Sequence, residues 1–141
     1  MKLITYGLGN VLNTEKIQPI KNRGFVKPEG GLWASPVDSL YGWREWCNDN
    51  NFGDLSTSFQ FQFSGNIYTI NSLNDLFSLP LRFAFENRFY FIDFEECLKR
   101  GIDAIHLTNS GEMATRFSKP VNLYGWDCES VLILNPNGIT V

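Results

Sequence analysis

Between residues 56 and 63 the chain alternates without a break, with Phe59, Phe61 and Phe63 on one parity and Ser58, Gln60 and Gln62 on the other. Successive side chains of a strand point to opposite faces, so this run predicts a strand with one dry and one wet side. Half-buried strands belong to antiparallel sheets, since parallel sheets are covered on both faces. Around this strand the local signals place others at residues 2–6, 32–34, 67–70, 88–92, 102–107, 130–134 and 139–141. Ser64-Gly65-Asn66 reads as the turn that joins residues 56–63 to 67–70. Asn135-Pro136-Asn137-Gly138 reads as the last turn.

Helix signals are fewer. Ser35-Pro36 offers a cap followed by a proline suited to a first helical position. Asp38 stands where a capping-box acid belongs, and Val37, Leu40, Tyr41 and Cys47 recur at helical spacing. This predicts a helix from residue 35 that ends in 48–53. Ser72 with Asp75 predicts a short helix ending before Pro80. Asp93 with Glu96 predicts another, closed by Gly101. A helical turn around 15–21 is limited by Pro19. Residues 108–122 read as a polar loop. The string Leu-Tyr-Gly-Trp occurs at 40–43 and at 123–126, a spacing too long for a repeat architecture. Hairpins mixed with isolated helices predict an α+β fold with a mostly antiparallel sheet.

The chain has 141 residues and suits one domain, residues 1–141, with a core of its own. Its net charge of −3 argues against a protein whose main task is neutralising phosphates, so nucleic acid is not the favoured partner. Hydrophobic residues make up 43% and charged residues 19%, which excludes a wholly disordered chain. With an aromatic share of 15%, large rings must fill the core or line a site. The opening MKLITYGLGN breaks its apolar run too early for a signal peptide, and no stretch approaches the ~18 apolar residues of a membrane span. The expectation is a soluble, reduced, cytoplasmic protein without a membrane partner. Cys47, Cys97, Cys128 and His106 are scattered rather than paired, so no metal site is expected. Lys16, Lys21, Arg23 and Lys27 read as a solvated loop face.

Three segments carry chemistry. The first is Thr5-Tyr6-Gly7 at the end of the first strand. The second is Gly31-Leu32-Trp33-Ala34-Ser35, followed by Ser39 and Tyr41. The third is Trp126-Asp127-Cys128-Glu129-Ser130, running into Val131-Leu132-Ile133-Leu134. A glutamate opening so apolar a strand is unusual, because charged side chains are seldom buried without a partner or a task. In an extended segment Asp127 shares its face.

In this order the segments resemble the ADP-ribosyltransferase superfamily, closest to its diphtheria-toxin and poly(ADP-ribose) polymerase branch. Tyr6-Gly7 matches the end of that family's first strand, and Arg23-Gly24-Phe25 matches the end of its loop. Gly31-Leu32-Trp33-Ala34 with Ser39 and Tyr41 matches its second block, and Glu129 matches the glutamate that opens a late strand. Tyr6 stands where the family carries His or Arg, and Trp33 stands at its nicotinamide-stacking tyrosine. Indole is the best cation–π face, so that exchange suits a cationic nicotinamide ring. Ser56-Thr57-Ser58 matches a strand of the family's arginine-using branch instead, and Asp127 echoes an acidic residue of that branch.

The resemblance implies a split sheet and an NAD⁺ cleft bounded by Tyr6, Gly7, Trp33, Ala34, Ser39 and Tyr41. It implies Glu129 and Asp127 as catalytic carboxylates, cleavage of the nicotinamide–ribose bond, and transfer of ADP-ribose to a macromolecule, most simply a protein. The oxocarbenium-like transition state of that reaction needs an aligned carboxylate and a floor under the leaving group. The absence of His or Arg from the first strand leaves a second expectation open. This is a catalytically silent member of the fold that binds a nucleotide or a protein, as a viral or bacterial effector.

Overall fold

The computed structural model describes residues 1–84 and 88–141. Its strands are β1 (Lys2–Tyr6), β2 (Leu32–Pro36), β3 (Ser58–Phe63), β4 (Ile67–Ile70), β5 (Leu81–Ala84), β6 (Phe89–Ile92), β7 (Ala104–Leu107), β8 (Ser130–Ile133) and β9 (Ile139–Thr140). Its helices are α1 (Trp43–Asn50), α2 (Leu73–Phe77), α3 (Phe94–Lys99) and α4 (Asn109–Thr115). Seven strands form one sheet in the order β4-β7-β8-β2-β1-β3-β9, and β5 with β6 forms a separate hairpin. Within the main sheet only β4 and β7 run parallel. The protein is thus mixed α/β, mostly sheet, with a few short helices.

Strand alternation sorts the core into two layers. Ile105, Leu107 and Leu132 bury one face against Leu76 of α2, Phe94 and Cys97 of α3, and Trp126. Leu3, Phe59, Phe61, Phe63, Val131 and Ile133 form the second layer on the other face. All four residues of β8 are buried, as expected of a strand covered on both sides.

The joint between β1 and β2 positions the candidate site. These strands pair only through Leu3 with Pro36 and Ile4 with Ser35. Leu32, Trp33 and Ala34 instead pair with Ile133, Leu132 and Val131 of β8. Past the last ladder pair, the Thr5 hydroxyl donates to the Trp33 carbonyl at 2.9 Å. A side-chain bond thus takes over where the backbone ladder ends. Gly30 and Gly31, both at positive φ, bring the chain into β2 past Pro19 and Ile133, whose carbonyls leave no room for a Cβ.

Four expectations are corrected. The helix expected from Ser35 starts at Trp43, because Ser35 and Pro36 are spent pairing with β1. Ser35 still caps that helix, from a distance: its hydroxyl accepts from the Trp43 amide at 3.0 Å. Leu40, expected on a buried helical face, is 90% exposed. Residues 56–63 and 67–70 do not form a hairpin: β3 pairs with β1 and β9, and β4 pairs with β7. Ser64 and Asn66 bond instead to Gly138 and Asp103. Residues 108–122 are not all loop, since Thr108 caps α4 by accepting from the Gly111 amide at 3.1 Å. Residues 81–84, on which the sequence raised no expectation, form β5.

Gly111 explains why α4 carries a glycine. A Cβ there would stand 1.9 Å from the Ile70 carbonyl oxygen, so the helix lies directly on the end of β4. Gly111→Ala is therefore expected to destabilise the protein by about 1–3 kcal/mol in urea unfolding, although alanine is the better helix former. Unchanged or raised stability would show that this close approach does not matter.

Candidate functional site

Where β1 and β2 part, a cavity of about 310 Å³ opens. Tyr6 lines it from β1, Trp33, Ala34 and Ser35 from β2, and Trp43, Trp126, Ser130 and Lys27 from the surrounding segments. This volume is near the lower end for small-molecule sites, and aromatic walls with few polar groups are their usual make-up. Trp126 meets Trp33 edge-on, with ring centroids 4.8 Å apart, and stacks on Phe94 at 6.4 Å. Its indole N–H donates to the Val26 carbonyl at 3.1 Å, which holds the wall rigid. Both copies of Leu-Tyr-Gly-Trp thus place their tryptophan on this cavity, though one lies in α1 and the other in a 3₁₀ turn.

Lys27 brings a positive charge to the wall. Its ammonium sits 5.3 Å from the Trp33 ring centre and 6.0 Å from that of Trp43. It also lies 3.7 Å from the Asp127 carboxylate. Two indole faces and one carboxylate therefore converge on a place that favours positive charge. Asp127 has φ 65° and ψ −38°, and around it the Cys128 amide donates to the Trp126 carbonyl at 2.7 Å. This is a γ-turn with positive φ, a strained conformation for a residue with a side chain, and such strain collects at working sites. Burial raises the Asp127 carboxyl above the ordinary range, against the pull of Lys27 and Arg116.

Glu129 lies elsewhere. The register puts Ser130 on the Trp33 side of the sheet and Val131 on the other, and Glu129 does not line the cavity. One carboxylate oxygen accepts from the Ser39 hydroxyl at 2.5 Å, and the other is 2.7 Å from His106 Nε2. Its amide donates to the Tyr41 carbonyl at 3.1 Å, and its carbonyl accepts from the Ser35 hydroxyl at 2.9 Å. The side chain is 12% exposed. Burial pushes its carboxyl up, but the bonds from His106 and Ser39 and the attraction of His106 prevail and bring it below the ordinary glutamate range. A small indentation of about 50 Å³ shares Tyr6, Ser35 and Trp43 with the cavity and adds Ser39 to its wall. Ser39 thus stands between the cavity's side pocket and Glu129.

Of the residues expected to bind a cofactor, Tyr6, Trp33 and Ala34 meet at the cavity and Ser39 at its side pocket. The Tyr41 hydroxyl turns away to Asp49 at 2.9 Å. Gly7 donates its amide to the Thr57 carbonyl and lines neither space. Thr57 also takes the Gly9 amide on its hydroxyl, so the Ser-Thr-Ser segment anchors the turn after β1.

Sequence reasoning gave Lys27 to a solvated loop face and gave His106 no role, whereas Lys27 meets Trp33 and Asp127 and His106 meets Glu129. Among the described residues no group of three or more His, Cys, Asp or Glu is placed to hold a metal ion. Burial pushes the Cys97 and Cys128 thiols up to about 12. No helix among the described residues is long and apolar enough to cross a membrane. No protein-family model, curated protein or solved structure matches the chain.

Proposed function

We propose that the cavity at the β1/β2 joint binds NAD⁺ and that the chain cleaves its nicotinamide–ribose bond, transferring ADP-ribose to a macromolecular acceptor or to water. The observation that carries this reading is the meeting of Trp33, Trp43 and Tyr6 with Lys27 where the strands part. The ammonium marks where a cation is stabilised. A nicotinamide ring stacked there takes over the indole faces, and Lys27 turns to the diphosphate. Glu129 supplies fixed negative charge, which His106 and Ser39 keep ionised and immobile. Glu129 lies off the cavity wall, so its charge acts on a ribose at the side pocket through the Ser39 hydroxyl that it holds in place. Asp127, retaining its proton more readily than an exposed aspartate, is suited to handling the acceptor's proton.

A second reading has its own support. Both Glu129 oxygens are engaged by protein groups and the carboxylate stays off the cavity wall, as suits a nucleotide-binding protein without turnover. Chromatographic detection of free nicotinamide from NAD⁺ separates the two. Release supports cleavage, saturable calorimetric binding without release selects the silent binder, and neither overturns both.

Trp33→Ala is expected to weaken NAD⁺ binding about tenfold, the worth of a desolvated cation–π contact of roughly 1–2 kcal/mol, whereas Trp33→Tyr retains most of the affinity. Calorimetric titration of folded variants checks this. Unchanged affinity in the alanine variant removes Trp33 from the site.

A further inference from the structure

We infer that a second groove, beside the cavity, docks single-stranded nucleic acid through its bases. The groove has a volume of about 510 Å³ and is lined by Phe25, Phe89, Tyr90, Phe117 and Tyr124 together with Arg116. These five rings are between 40% and 75% exposed. Single exposed apolar residues are common, but large rings gathered along one concavity mark a binding surface.

The charge in the groove selects the partner. The Arg116 guanidinium lies 5.6 Å from the Phe117 ring centre and 5.5 Å from that of Tyr124, and Arg23 lies 5.5 Å from that of Phe25. Among the described residues that line the groove there is no carboxylate. Glu112 pairs with Arg116 at 3.3 Å, but it does not line the groove and its side chain is 12% exposed, while that of Arg116 is 45% exposed. The net charge of −3 for the whole chain therefore does not describe this face.

Exposed rings with guanidinium groups beside them match a ligand that carries flat rings and anions in alternation. An apolar peptide gains nothing from the arginines, and an acidic peptide gains nothing from the rings. A single strand uses both, with bases stacked on the rings and phosphates on the guanidinium groups. A duplex keeps its bases stacked on one another and cannot reach the rings.

The groove is a separate site from the cavity. Residues 24–26 and the turn Tyr124–Trp126 divide the two, with Phe25 and Tyr124 on one side and Trp126 on the other. Asp127 follows that turn, paired with Lys27 of the cavity and within the field of Arg116 of the groove. A strand held here would lie next to the cavity mouth, but its binding does not depend on what the cavity does.

Fluorescence anisotropy with a labelled oligothymidylate of about 12 nucleotides tests this. Saturable binding is expected at low salt, weakening as salt is added, with the matched duplex bound more weakly. The double variant Phe117→Ala/Tyr124→Ala is expected to bind the strand at least about tenfold more weakly. Arg116→Gln is expected to lower the salt slope by about one. The variants' circular dichroism and NAD⁺ titration should match those of the parent, which separates failure of the groove from failure of the cavity reading. Absence of strand binding at low salt, parent-like affinity in the folded double variant, or capture of a proline-rich peptide in place of the strand overturns the inference.

Discussion

Replacing Glu129 by glutamine is expected to slow nicotinamide release from NAD⁺ by about 10²–10³-fold, the usual loss when one preorganised electrostatic group is removed from a transition state. Glutamine keeps the shape and one acceptor oxygen, so the variant is expected to fold and to bind NAD⁺. What it loses is the charge that Ser39 and His106 hold in place at 2.5 and 2.7 Å. Parent and variant are compared by rate of release and by calorimetric affinity at one pH. An active parent whose glutamine variant retains the full rate removes Glu129 from catalysis.

The same variant has a pH signature. The Glu129 carboxyl is held below its ordinary value in the folded protein, so its stabilising effect is complete above the unfolded value of about 4.3 and is lost as pH falls through the lower folded value. Parent stability should therefore drop across this acid range, and Glu129→Gln should flatten that part of the profile. Urea midpoints measured between neutral pH and the acid range report it. An unchanged acid slope would mean that these bonds do not hold the carboxylate ionised in solution.

The second large effect is structural. Trp126→Ala is expected to cost about 3–5 kcal/mol, as for other large core rings replaced by alanine. For a chain of this size that is a fall in Tm on the order of 10 °C or more. The ring is 1% exposed, meets Trp33 and Phe94, and bonds the Val26 carbonyl. Its removal opens the core into the cavity wall and leaves that carbonyl unpaired. Trp126→Phe, which refills part of the space but not the bond, should fall between the two. Denaturant unfolding decides it, and a loss below about 1 kcal/mol for the alanine variant would show that the wall closes around the gap.

Local signals in the chain were enough for several elements. Period-two alternation identified β3 and put Phe59, Phe61 and Phe63 on its buried face. Asp93 with Glu96 identified the start of α3, where the Asp93 side chain accepts from the Glu96 amide as that spacing predicts. The unbroken apolar run after Glu129 identified β8 as a strand covered on both faces. Each of these signals lies within a few residues of what it specifies, and caps and alternation act at that range.

Partner choice acts at long range and left little local trace. Alternation says which face of β3 is dry but not that β3 pairs with β1 while β4 pairs with β7. Ser35 and Pro36 carry a helix-start pattern, yet pairing with β1 outweighs it. Residues 108–122 look polar and irregular, and α4 forms among them because Thr108 caps it and Gly111 fits against Ile70. The site follows the same division. That Glu129 must have a partner was legible from its place before an apolar strand. That the partners are Ser39, 90 residues away, and His106, 23 residues away, was decided only when β7 and β8 paired and the loop after β2 folded back over their end. Trp33 pairs with Leu132, of opposite parity to Glu129, so the pleat sends Trp33 to the cavity and Glu129 to His106, because strand residues of opposite parity emerge on opposite faces of a sheet.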